Sequence, residues 1–135
     1  MIAGSQQLGL SLASCKSLIH IFRMQRKDLS DDKCPVARTL DRVGDWWSML
    51  IIRDAGFGLS RFDQFQESLG IAPNMLTRRL ATLVETGFLE RRAYSERPPR
   101  YEYVLTKKGR DFRPVLEALK AFGEEHYPKP KTKRA

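Results

Sequence analysis

Asn74, Thr77 and Arg78 lie close together in the stretch Ile71 to Thr86, IAPNMLTRRLATLVET. These side chains are suited to reading base edges. Asn pairs with adenine, Arg forks onto guanine, and Thr meets a thymine methyl or a phosphate. Downstream, Arg97 and Arg100 sit in SERPPR, where exposed guanidinium groups suit a phosphate backbone or a minor groove. Arg61 is a further candidate phosphate contact. From Arg78 to Arg110 there are nine basic residues against four acids, an excess of about five positive charges in one short region. For any single arginine the plain alternative is a solvated surface; the grouping is what points to a polyanion. Arg79 stands apart, because it flanks a leucine stripe where it can pair with an acid from a neighbouring helix. Met75 reads as packing.

Cys34 is the other residue with chemistry. It immediately precedes Pro35, and a thiol at a helix N-cap feels the positive helix end, which favours thiolate. Lys33 and Arg38 add to this; Asp31 and Asp32 oppose it. The functional reading is a thiol that senses oxidants or electrophiles, and the plain one is a small semi-buried cap. The only other cysteine is Cys15, so there is no disulfide framework and no complete zinc site. His20 and His126 are too isolated to change that. There is no Gly-rich phosphate loop, no HExxH and no GxSxG. Asp31-Asp32 and Glu124-Glu125 read as solvated charge. Trp46-Trp47 reads as core, with a small ligand pocket at a dimer interface as the alternative.

These residues need elements to hold them. Pro35 suits a first helical position, and Val36, Leu40 and Val43 give a helical stripe that Gly44 ends. Asp45 N-caps a second helix, Trp46 to about Ala55, apolar nearly all round and so centrally buried. Ser60-Arg61-Phe62 forms a small strand or caps a third helix reaching Ser68, with Phe62, Phe65 and Leu69 inward. Gly70 makes the turn, and Pro73 restarts a helix to Glu85; two short helices so joined make a helix-turn-helix. Leu76, Leu80, Leu83 and Val84 lie on one side of that fourth helix, Asn74, Arg78 and Ala81 on the other, at about 100° per residue. Gly87 supplies a left-handed end. Phe88 to Tyr94 and Tyr101 to Thr106 then alternate as strands. Between them the two prolines of SERPPR predict a stiff projecting loop, a wing. Thr106 caps a last helical region with Phe112, Val115, Leu116, Leu119 and Phe122 on one stripe; Pro114 kinks it or marks a second start. So long a stripe at the end of a small domain calls for a partner helix.

The 135 residues suffice for one domain with its own core, and the formal net charge of +8 favours nucleic acid over an anionic membrane surface. No apolar run approaches about 18 residues, so no transmembrane helix is expected. Leu8 to Phe22 resembles a signal h-region faintly, but no basic segment precedes it and Lys16 interrupts it, so export is not expected. The cysteine usage fits the cytoplasm. Residues 1–23 form an N-terminal extension, either a flexible arm, a short amphipathic helix, or a gene-model artefact with Met24 the true start. Residues 24–126 are the DNA-binding domain, and 127–135 a basic, disordered tail.

The segments CPVARTLDRVGDWWSMLIIRD, RFDQFQESLGIAPNMLTRRLATLVETGFLERR and PPRYEYVLTKKGRDFRPVLEALKAF, from Cys34 to about Gly123, resemble the HxlR family of bacterial transcriptional regulators. The match includes the Cys-Pro opening, the G-x-W-x-x-L-I-x-R helix, L-x-x-R-L-x-x-L-x-x-x-G, and the P-P-x-x-x-Y-x-L-T-x-x-G wing and turn. The resemblance implies a dimeric winged helix that binds operator DNA. It also implies a candidate sensor, since in several members the cysteine matching Cys34 responds to quinones, aldehydes or disulfide stress. One departure is Ala72, where the family usually has Ser or Thr; a missing N-cap costs about 1 kcal/mol.

The expectation is therefore a mainly α fold with a small β-hairpin, a winged helix-turn-helix. It is a homodimer with terminal helices at the interface, two recognition helices about 34 Å apart on a palindromic operator in double-stranded DNA. Modification of Cys34 by a small electrophile or oxidant is expected to alter that spacing. No cofactor, metal, membrane or catalytic role is expected. The alternative is a winged helix used as a protein-interaction module without DNA; a thiol-dependent reductase lacks a resolving cysteine and a cofactor loop.

Overall fold

The computed structural model describes residues 27–130. The readings on residues 1–23 and on Cys15 lie outside these residues. The chain divides into two units, Met1–Asp41 and Arg42–Ala135.

In the first unit, a turn leads into α1 (Pro35–Val43), whose last two residues belong to the second unit. The Leu29 N–H donates to Asp41 Oδ1 at 3.1 Å, tying the turn to the helix. Val36 and Leu40, two residues of the predicted stripe, are exposed, while Val43 is buried.

The second unit begins its core at Val43 and continues through α2 (Trp46–Gly56), α3 (Phe62–Leu69), α4 (Pro73–Glu85), β1 (Leu89–Glu96), β2 (Pro99–Leu105), α5 (Lys107–Asp111) and α6 (Arg113–His126). Asp45 caps α2 as expected, accepting the Ser48 N–H at 2.9 Å. The expected all-round burial of α2 is not found. Ser48, Ile51, Ile52 and Asp54 form its buried face, whereas Trp46 is 72% exposed. A two-layer domain covers one broad face of a helix, and Trp46, in the first turn, lies off that face. Trp47 alone of the pair packs on the core, with Trp46 edge-on to it.

The turn between α3 and α4 is set by Gly70, whose φ of 63° is left-handed and whose N–H closes on Gln66 O. Phe65, Ile71, Leu76, Leu80 and Leu83 bury the inner sides of both helices. Each buried leucine contributes on the order of 2 kcal/mol. Arg61 is the N-cap of α3 rather than part of a strand. Gln64 Oε1 accepts from the N–H groups of Ser60 and Arg61, at 2.9 and 3.0 Å. Ser60 does reach the sheet through one bond, its carbonyl accepting from Tyr103 N–H at 2.6 Å.

β1 and β2 pair antiparallel, from Leu89 opposite Leu105 out to Glu96 opposite Pro99, with a bulge between Ala93 and Ser95. This corrects the predicted wing. SERPPR is not a six-residue loop: β1 runs on through Glu96, β2 starts at Pro99, and only Arg97-Pro98 turns. Proline disrupts a ladder only where its missing N–H is needed. Both strands here are edges, and the tip tolerates Pro99.

Thr106 fastens the hairpin to α5. Its hydroxyl donates to Gly87 O and accepts the Gly109 N–H, which caps the helix. Pro114 marks a second start, separating α5 from α6, rather than a kink. Phe112 is buried and Leu116 packs on the core, but Val115, Leu119 and Phe122 are exposed.

Candidate nucleic-acid interface

α4 begins at Pro73, with Ala72 as an N-cap that offers no side-chain hydrogen bond, as expected from the sequence. Asn74, Thr77 and Arg78 are all exposed, opposite Leu76, Leu80 and Leu83. The Thr77 hydroxyl donates to Pro73 O at 2.9 Å.

Arg79 takes the internal role expected of it. Its Nε lies 3.3 Å from Asp45 Oδ2, out of line for a hydrogen bond. Asp45 thus serves the start of α2 and the middle of α4 together, with Ser48 Oγ donating to its other oxygen at 2.7 Å. A second link, which no local sequence signal marks, joins α2 and α3. The Asp54 carboxylate is buried, receives Ser68 Oγ at 2.7 Å and is gripped by the Arg53 guanidinium at 2.9 Å. Both links fix the pair of helices that carries the outward face of α4.

The basic residues divide clearly into two sets. Arg92 pairs with Glu90, and Lys107 with Asp111. Lys108 Nζ donates to Thr86 O at 2.7 Å, and Arg110 Nη1 to Leu105 O at 3.0 Å. Arg61 lies 3.9 Å from Asp63, a loose contact on an exposed surface. Among the described residues, no carboxylate pairs with Arg78, Arg97 or Arg100. Arg97 is in the hairpin turn and Arg100 beside it, both exposed. Arg91 likewise pairs with no carboxylate among the described residues, but its guanidinium lies over the Tyr101 ring, 4.2 Å from the centroid. The sequence gives no sign of this contact, because it depends on the bulge between Ala93 and Ser95, which shifts the register by one, sets Tyr101 opposite Ala93 and so places it on the face of Arg91.

In the first unit, Cys34 is exposed and its thiol is free. Hydrogen bonds from the backbone N–H groups of Ala37 and Val36 hold it below its ordinary pKa, against a small opposing effect of burial; the charge of Arg38 acts in the same direction as the hydrogen bonds. Asp32 is not merely solvated, since its Oδ1 accepts the Cys34 N–H at 2.9 Å. Arg38 is anchored there by donating to the carbonyls of Asp32 and Lys33. Among the described residues no cluster of three or more His, Cys, Asp or Glu could hold a metal, and no helix is long and apolar enough to cross a membrane.

This arrangement of helices and hairpin has known relatives. Residues 42–131 match the family model described as HxlR-like helix-turn-helix. The chain belongs to the HxlR-like family. An uncharacterised HTH-type transcriptional regulator of Mycobacterium tuberculosis is 44% identical over 95 residues, 70% of this chain. The chain spans 60% of the length of that relative. Among solved structures, the candidate transcription factor PA1607 superposes with a TM-score of 0.72 at 45% identity, covering 81% of this chain and 76% of its own. The redox regulator HypR in its oxidised form superposes with a TM-score of 0.63 at 35% identity, covering 69% of this chain and 97% of its own. The HxlR-like relatives are thus transcriptional regulators with a winged-helix fold, not enzymes.

Proposed function

We propose that this protein is a sequence-specific transcriptional regulator that reads double-stranded DNA with α4 in the major groove. The observation that carries the reading is Arg78, exposed on α4 without a carboxylate partner, one turn from Asn74. A helix fills the major groove, and a forked Arg-guanine or Asn-adenine pair discriminates by about 1–3 kcal/mol. Thr77 meets a thymine methyl or a phosphate. Arg97 and Arg100 meet the backbone or minor groove at the wing, and Arg61 at the start of α3 meets a phosphate. The protein acts as a homodimer on a palindromic operator, using the exposed stripe of α6. Cys34 makes binding responsive to an oxidant or electrophile: its lowered pKa favours the reactive thiolate, and HypR is a redox regulator of similar fold.

The test is selection of genomic fragments bound by the purified full chain, with and without diamide. A palindromic motif recovered only without diamide, and retained under diamide by Cys34→Ser, is expected. Arg78→Ala should relax the preference at one position of each half-site. Recovery of no enriched motif, at low salt as well as high, would reject DNA reading in favour of a protein-interaction module. An unchanged diamide response in Cys34→Ser would reject the sensor alone.

A further inference from the structure

We propose that Arg91, held over the ring of Tyr101, is a built phosphate-binding point. It would grip the DNA strand that passes between the groove filled by α4 and the groove met by the wing tip. This rests on the DNA-binding reading above.

The register of the hairpin sets the geometry. Arg91 lies opposite Tyr103, and Ala93 opposite Tyr101, so Leu89, Arg91, Ala93, Tyr101, Tyr103 and Leu105 share one face. Leu89 is buried, and Tyr103 and Leu105 pack on the core, so this face turns towards the helices. Arg91 is one pleat further out and is exposed. It stands where the hairpin has left the core but has not reached its tip. When a helix occupies a major groove and a wing meets the neighbouring minor groove, the backbone separating those grooves runs past this position. A cation there meets phosphates, not bases.

The chemistry fits. The π face of the Tyr101 ring attracts the guanidinium and holds it 4.2 Å from the ring centroid. It takes none of the N–H donors, so their edges remain available for a forked phosphate contact. A carboxylate partner would have neutralised the charge. Instead, Glu90 and Glu102 occupy the opposite face of the sheet, with Glu90 engaged by Arg92. Tyr101 is 42% exposed, more than a ring serving only the core would be. Holding the long Arg side chain beforehand lowers the entropy cost of the contact.

The full-length chain and its variants Arg91→Ala, Arg91→Lys, Tyr101→Phe and Tyr101→Leu would be titrated against one labelled mixed-sequence duplex at several salt concentrations. Thermal unfolding would be followed in parallel to correct for folded fraction. Arg91→Ala is expected to weaken binding about tenfold and to reduce the slope of log affinity against log salt by about one. Arg91→Lys and Tyr101→Leu keep the charge, so the slope should hold while affinity drops several-fold. Tyr101→Phe keeps the ring face and should bind like wild type. An Arg91→Ala variant with wild-type affinity and slope, or losses that vanish after correction for folded fraction, would overturn the proposal and leave DNA binding intact. No salt-dependent binding by the wild type would overturn the DNA reading and this proposal with it.

Discussion

Cys34 shows how few groups are needed to set the chemistry of one side chain. Two backbone N–H groups at the start of α1 donate to its sulfur, and Arg38, fixed by two carbonyls, adds positive potential. All three favour the thiolate, so the folded pKa is depressed below that of the unfolded chain. The linked contribution to stability is therefore present above the unfolded pKa, about 8.5 for a free thiol, and is lost as pH falls through the lower folded value. In a Cys15→Ser background, the rate of iodoacetamide alkylation plotted against pH should have its midpoint below that of the urea-unfolded chain. Arg38→Ala should move the midpoint only part of the way back, because the backbone donors remain. Equal midpoints for folded and unfolded protein would remove the physical basis of a reactive thiol. The basic residues obey the same logic. Arg78, Arg97 and Arg100 could be selected from the sequence, yet only the structure separates them from Lys108 and Arg110, whose charges are spent on carbonyls of their own chain.

At the level of elements, the hairpin and α5 meet closely at Gly109. A Cβ on Gly109 would stand 2.2 Å from Phe88 O and 2.9 Å from Leu105 Cδ2. Gly123, in α6, has nothing within 4 Å of such a Cβ. The same substitution should therefore have opposite signs. Gly109→Ala must push the helix off the sheet and is expected to cost about 2–3 kcal/mol. Gly123→Ala relieves only backbone entropy and should gain about 0.5–1 kcal/mol. Urea unfolding of both variants checks this, and a neutral Gly109→Ala would mean that α5 is not seated against Phe88. Most of this architecture was legible because local signals agreed. Asp45 and Thr106 cap, Pro73 and Pro114 open helices, Gly70 and Gly87 take positive φ, and the leucines of α4 keep one face. What failed depended on information that is not local. The length of the turn is one such feature: prolines read locally as strand breakers, and only the pairing makes both strands edges, where Pro99 is tolerated. The Asp54 latch stayed hidden because its partner Ser68 is 14 residues away, with nothing in the pattern to couple them. Trp46 reads as core from hydropathy alone, since periodicity cannot say which part of an apolar helix a small domain can cover.

For the whole molecule, the last helix must reconcile two roles. Phe112 and Leu116 on α6 and its entry belong to the core, yet Val115, Leu119 and Phe122 on adjoining turns are 42%, 50% and 56% exposed. Aliphatic and aromatic groups repeated along one helix face in this way lose favourable burial if they stay in water, roughly 25 cal/mol for each Å² left uncovered. A two-fold axis would let the stripe of one chain cover that of its partner, and the same symmetry would present two copies of α4 to two half-sites. The stripe does not support the monomer's own core, so its disruption should separate assembly from folding. Leu119→Glu with Phe122→Glu places like charges across the symmetric contact. The expected result is a monomer by sedimentation with wild-type helicity and a little-changed unfolding curve at low protein concentration, while the wild type sediments as a dimer. Binding to a palindromic site should then weaken far more than binding to a single half-site, because the second recognition helix no longer comes tethered to the first. A wild type that remains monomeric at all accessible concentrations, or a double variant that stays dimeric, would place the assembly surface elsewhere on the molecule.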